Sequence, residues 1–215
     1  KHRGLLADLL LRDGRTAEAV EELVRIGDEM GRKGLDQEAK SSYQKAAEIH
    51  PHSPVLVARL ASARAAGGDV EGAIGMAKEA LRKPDAPVDL NIILGDLQTK
   101  TGRHEEALSA FGRALDTAPG RSDVRLRLAR THLVLGDASA AFETVAPHSA
   151  VLLKEGKGEE LAALIEEVSA VDPGQAQPLR RLSEIYSAMK DEENSLRCAS
   201  RLLEIWIERD DLREG

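Results

Sequence analysis

Apolar residues recur along this chain at helical spacing, and glycines interrupt them at regular places. Leu90, Ile93, Leu94 and Leu97 fall at i, i+3, i+4 and i+7, which is one face of a helix. Gly102 breaks that run. Beyond it Ala107, Ala110, Phe111, Ala114 and Leu115 repeat the pattern until Pro119-Gly120 ends it. The unit is helix, tight turn, helix, stop. Carried along the whole chain, the pattern predicts about 12 helices: 2–12, 16–32, 36–49, 54–66, 70–82, 88–101, 104–117, 122–135, 138–154, 158–171, 176–189 and 192–208. It predicts no strands and no domain boundary. Pro147 falls inside the ninth helix. It is expected to kink or split that helix, because proline removes one backbone bond and clashes with the preceding turn.

The interruptions are periodic. Gly34, Gly68, Gly102 and Gly136 stand 34 residues apart, and an alanine follows each five positions on: Ala39, Ala73, Ala107 and Ala141. A constant step of this length means stacked supersecondary units. The turn glycines are expected in the left-handed conformation at a helix C-terminus. The alanines are expected where two helices approach closely. Pro51, Pro84, Pro119 and Pro173 read as stops after second helices. Two steps are irregular: Gly14 to Gly34 and Gly136 to Gly156 are each 20 residues. There one helix, 16–32 or 138–154, is expected to serve two neighbouring units. These steps lie 122 residues apart, and the same shift carries Gly34 onto Gly156, Pro51 onto Pro173 and Leu60 onto Leu182. The chain therefore reads as internally duplicated. The shift also carries Gly68 onto Lys190, which predicts a differently built last turn.

A 34-residue helix–turn–helix unit with Gly, Ala five on, a large residue four later, Ala three after that and a terminal Pro resembles the tetratricopeptide repeat. Residues 88–121 carry the best match: Leu94-Gly95, Gly102, Ala107, Phe111, Ala114 and Pro119. Residues 34–51 match its second half through Gly34, Ala39, Tyr43, Ala46 and Pro51. Residues 54–87 match more loosely, with Ala77 at the large position and Pro84 one place early. No aromatic occupies the first large position of any first helix. The resemblance implies an all-α, right-handed superhelical solenoid of antiparallel helix pairs. It would run as one domain over 1–215, with repeats near 20–53, 54–87, 88–121, 122–155, 142–175 and 176–209.

In this family the first helix of each pair lines a concave groove that takes a partner. Repeat phase then assigns groove side chains: Val55, Ala58, Arg59 and Ser62; Asp89, Ile92, Asp96, Thr99 and Lys100; Asp123, Leu126, Arg127, Arg130 and Val134; Gln177, Arg180, Arg181 and Glu184. The sharpest candidates for partner contact are Arg59, Ile92, Asp96, Leu126, Arg127, Arg130, Arg180, Arg181 and Glu184. Arginine forks bind carboxylates in a bidentate way, so the Arg-rich stretch would suit an acidic or C-terminal peptide. The plainer reading is that these arginines are solvated, or paired with Asp123 and Glu184 on their own helices. One family subset grips a C-terminal carboxylate with Lys and Asn. Here those positions hold Leu126, Arg130, Ile92 and Asp96, so that clamp is absent.

Composition narrows the function classes. Of 215 residues, 42% are apolar and only 2% aromatic, so the core must be built from Leu, Ala, Val and Ile. With 37 acidic and 30 basic residues the net charge is −7, which argues against bulk nucleic-acid binding. No apolar run reaches the roughly 18 residues needed to span a bilayer. Cys198, the single cysteine, excludes an internal disulfide and a cysteine-based metal site. No HExxH pair occurs among the six histidines, and the glycines follow helices instead of opening phosphate loops. No cofactor, metal site or catalytic set is expected. Leu5, Leu6, Leu9, Leu10 and Leu11 at one end, and Leu202, Leu203, Ile205, Trp206 and Ile207 at the other, make the terminal helices broadly apolar. Terminal repeats normally show a polar outer face. The alternative to a peptide-binding scaffold is therefore a spacer or oligomerisation module that self-associates through its ends. Ala, Gly, Arg and Leu usage reads as bacterial. A chain beginning at Lys1 reads as an excerpt or processed form. The cytoplasm needs no further assumption, whereas a periplasmic form would need a signal or lipid anchor upstream.

Overall fold

The computed structural model of the chain describes residues 2–50, 53–83, 86–171 and 174–214. Pro51, His52, Pro84 and Pro173 lie outside the described residues, as does the Val55 side chain. The chain forms two compact units, Lys1–Thr117 and Ala118–Gly215, each described by itself. Every regular element among the described residues is helical.

The first unit contains α1 (His2–Arg12), α2 (Thr16–Arg32), α3 (Asp36–Ile49), α4 (Pro54–Ala66), α5 (Val70–Ala80), α6 (Val88–Lys100) and α7 (His104–Thr117). Each helix packs on the next, and α4 also packs on α6, so the pairs stack. Helix α2 packs on both α1 and α3. Small side chains let the helices approach: Ala19, Ala39, Ala46, Ala73, Ala77, Ala107, Ala110 and Ala114 are all buried. Leu90, Leu94 and Leu97 fill the space between them. Gly95 on α6 lies directly against the Phe111 ring of α7, and Gly27 on α2 lies against the Tyr43 ring of α3.

The second unit contains α8 (Ser122–Val134), α9 (Ala138–Val145), a 3-10 turn (Ala146–His148), α10 (Ser149–Lys154), α11 (Gly158–Val171), α12 (Ala176–Ala188) and α13 (Glu192–Glu214). Its core runs from Leu126 through Val145, Leu152, Leu161, Ile165 and Leu182 to Ile205. The helix expected over 138–154 is broken where Pro147 stands, and the 3-10 turn carries the chain across. α13 continues to Glu214, six residues beyond the predicted end at 208.

Six glycines adopt positive φ at the turns: Gly14, Gly34, Gly68, Gly102, Gly136 and Gly156, between 72° and 91°. At each, the amide of the next residue donates back five residues, as Arg103 N does to Leu97's neighbour Gln98 O at 2.8 Å and Asp137 N does to His132 O at 2.9 Å. This bond satisfies a carbonyl left over at the helix end. The expectation of a different last turn fails. Lys190 itself takes φ 62°, and Asp191 N donates to Tyr186 O at 2.9 Å. The geometry is that of the glycine turns, held at the cost of placing a side chain in the left-handed region. The next residue caps the following helix in three turns: Asp69 accepts from Gly72 N, Asp137 from Ala140 N and Asp191 from Asn194 N. Pro119 follows the end of α7 by two residues, as expected of a stop.

Candidate peptide-binding site

In the first unit, α2, α3, α4 and α6 enclose a cavity of about 500 Å³. Its walls are small, Gly31, Ala39, Ala58, Ala63 and Ala66, and Ile92 and Ile93 supply an apolar floor. Asp36, Arg59, Ser62 and Asp89 bring polar groups to the same cavity. Helical spacing explains the assembly. Asp89, Ile92 and Ile93 share one face of α6, while Leu90, Leu94 and Leu97 face the core.

Arg59 belongs to a three-membered cluster. Its Nη1 donates to Asp28 Oδ1, and the Tyr43 hydroxyl donates to the same oxygen at 2.6 Å. Burial and the bond to Asp28 push the Tyr43 phenol up to about 12. Arg59 Nε is buried and has no hydrogen-bond partner among the described residues. The site therefore offers a fixed, charged donor beside an apolar floor.

Of the nine candidates, Arg59 and Ile92 are brought together in this cavity. Asp96 lies half-buried on the same helix. In the second unit Arg180, Arg181 and Glu184 share a cavity of about 310 Å³ with Phe142 and Gln177. Glu184 accepts from Arg181 at 2.7 Å and lies 3.5 Å from Arg180. Arg130 pairs with Glu160 on α11 at 3.0 Å, and Arg127 is exposed. Leu126 is corrected: it is 2% exposed and packs with Ala129, Ala141 and Val145 in the core. One residue along a helix is a rotation of about 100°, enough to turn Leu126 inward beside an outward Arg127. Asp123 pairs with Arg121 at 2.8 Å, and the Arg121 guanidinium holds its carboxyl below the usual range.

Sequence reasoning missed Asp28, Gly31, Asp36 and Tyr43 as members of a site. The available signal was Gly27 and Gly31, two glycines one turn apart on α2, which leave room beside that helix.

Helix hairpins joined by left-handed turns and stacked on their neighbours define a helical-repeat solenoid. Two family models, each described as tetratricopeptide repeat, match residues 58–122 and 98–150. Residues 58–150 carry tetratricopeptide repeats. No curated protein sequence matches it. The crystal structure of MamA is similar in fold, with a TM-score of 0.52 at 17% identity, covering 92% of this chain and 96% of that one. The first TPR of Spaghetti (RPAP3), bound to the HSP90 peptide SRMEEVD, has a TM-score of 0.50 at 21% identity, covering 54% of this chain and 93% of that one.

Proposed function

We propose that this chain is a non-catalytic protein-interaction scaffold that holds a segment of a partner protein, with the α2–α4–α6 cavity as its principal site. The observation that carries this reading is Arg59, whose buried Nε–H has no acceptor among the described residues, at the edge of an apolar cavity. A buried unsatisfied donor costs free energy, and a peptide carbonyl laid over Ile92 and Ile93 would satisfy it. The same class of fold holds an HSP90 peptide in RPAP3, which supports the reading. Arg180, Arg181 and Glu184, with Phe142, form a second proposed contact patch, and Asp96, Arg127 and Arg130 extend the proposed surfaces. The test is selection of binders from a displayed random-peptide library, followed by affinity measurement against Ser62→Trp and Arg59→Gln. Ser62 is exposed, so the Trp fills the cavity without disturbing the core. Loss of binding in both variants is expected. Peptides that bind both as well as the parent chain refute this site.

A second reading has its own support. Leu5 and Leu9 on α1 are 61% and 55% exposed, and Leu196, Trp206 and Ile207 on α13 are 68%, 53% and 62% exposed. Apolar patches of this kind favour association with another surface. A chain that sediments as a strict monomer at high concentration rejects self-association through these helices.

A further inference from the structure

The face of α6 turned away from the Arg59 cavity carries a second pocket of different chemistry. Asn91, Leu94 and Gln98 lie on that face, at i, i+3 and i+7, opposite Asp89, Ile92 and Ile93. With α5 and α7 they line a cavity of about 450 Å³ that also takes in Lys78, Arg82, Glu106 and Arg113. Three cations and one carboxylate meet there, in a chain whose net charge is −7.

The internal pairing leaves cationic capacity. Lys78 reaches Glu106 at 2.8 Å, and this contact holds the Glu106 carboxyl below its usual range. Arg82 pairs with Glu79, one turn back on its own exposed stretch, at 2.7 Å. Arg113 meets only a neutral acceptor among the described residues: its Nε donates to Asn91 Oδ1 at 3.3 Å. Gln98 supplies the second, independent observation. It is 2% exposed, and its Nε2 donates to Glu106 at 2.8 Å, but its Oε1 is buried with no partner among the described residues. A buried acceptor without a donor is uncommon and costly. The pocket thus asks for two things at once: an anion for Arg113 and Arg82, and a hydrogen-bond donor for Gln98.

We propose that this α5–α6–α7 pocket binds an aspartate or glutamate of a partner segment, its carboxylate on Arg113 and Arg82 and a neighbouring backbone N–H on Gln98 Oε1. Sulfate, an inorganic anion with no proton to donate, meets only the first requirement. The proposal rests on the reading of the chain as a protein-interaction scaffold, but not on the Arg59 cavity, which uses the other face of α6.

The experiment is an amide and side-chain NMR titration of the whole chain with N-acetyl-glutamate N-methylamide, its glutamine counterpart, and inorganic sulfate. The glutamate probe is expected to give saturable shifts at the Gln98 side-chain amide and the Arg113 Nε–H, and the glutamine probe none. Arg113→Gln with Arg82→Gln, both on exposed side chains, should weaken the glutamate probe about tenfold or more, the loss expected for charged hydrogen bonds. Ser62→Trp should leave the titration unchanged, so failure of the Arg59 cavity and failure of this pocket are told apart. Absent shifts, equal shifts with glutamine, or sulfate binding as tightly as the glutamate probe each overturn the proposal.

Discussion

Replacing Gly95 by alanine tests the helix approach on which the first unit is built. A Cβ at Gly95 would stand 2.5 Å from Phe111 Cε1 and 2.7 Å from Cδ1 and Cζ. Carbon pairs settle at about 3.5–4.0 Å, so the ring must move by about 1 Å. Phe111 is 1% exposed and has nowhere to go without displacing its neighbours. Overpacking of this kind costs about 1–3 kcal/mol. Against it stands the helix preference of alanine over glycine, about 1 kcal/mol. Gly95→Ala should therefore destabilise by about 1 kcal/mol. Gly75 on α5 is the control, because a Cβ there meets nothing within 4 Å. Gly75→Ala should stabilise by about 0.5–1 kcal/mol, since only the helix preference acts. The two variants should differ by about 2 kcal/mol, roughly 1 M in urea midpoint by circular dichroism. Adding Phe111→Leu to Gly95→Ala should recover part of the loss, with a coupling of about 1 kcal/mol in the double-mutant cycle. If both alanine variants stabilise equally, α6 and α7 do not meet at Gly95 and the packing argument fails.

Three further outcomes are expected. Lys190→Gly should raise stability by about 0.5–1 kcal/mol, since φ 62° penalises any side chain, and a gain no greater than that of Lys190→Ala would contradict the turn geometry. Asp137→Ala removes the acceptor for Ala140 N, 2.9 Å away, and should cost about 1 kcal/mol in urea unfolding; no loss would show that this cap contributes nothing to α9. Burial, aided by Arg125, lowers the His148 pKa below its ordinary 6.5, so the unfolded chain takes up that proton more readily than the folded one. The stability linked to His148 is complete above about pH 6.5 and falls as the pH drops through that value toward the folded pKa. Urea midpoints at pH 7.5 and 5.5 should converge in His148→Gln, and an unchanged pH slope would remove His148 as the cause.

What the amino-acid sequence determined by itself is local. Helix bounds such as 16–32, 36–49 and 104–117 agree with the structure residue for residue, because apolar periodicity, turn glycines and Pro147 act within a few positions of themselves. Tertiary structure decided the rest. Asp28 finds Arg59 31 residues away, and Glu160 finds Arg130 across 30, and no single segment encodes either pairing. Leu126 turned inward and Arg127 outward by packing against α9 and α11, not by any difference in helix preference. Lys190 shows the two levels in conflict. Its side chain disfavours the left-handed turn, yet the hydrogen bond from Asp191 to Tyr186 and the packing of α12 on α13 hold it there. Both pockets beside α6 exist only once neighbouring helices meet: small walls and the buried Arg59 Nε come together in one, and long charged side chains and the buried Gln98 Oε1 in the other.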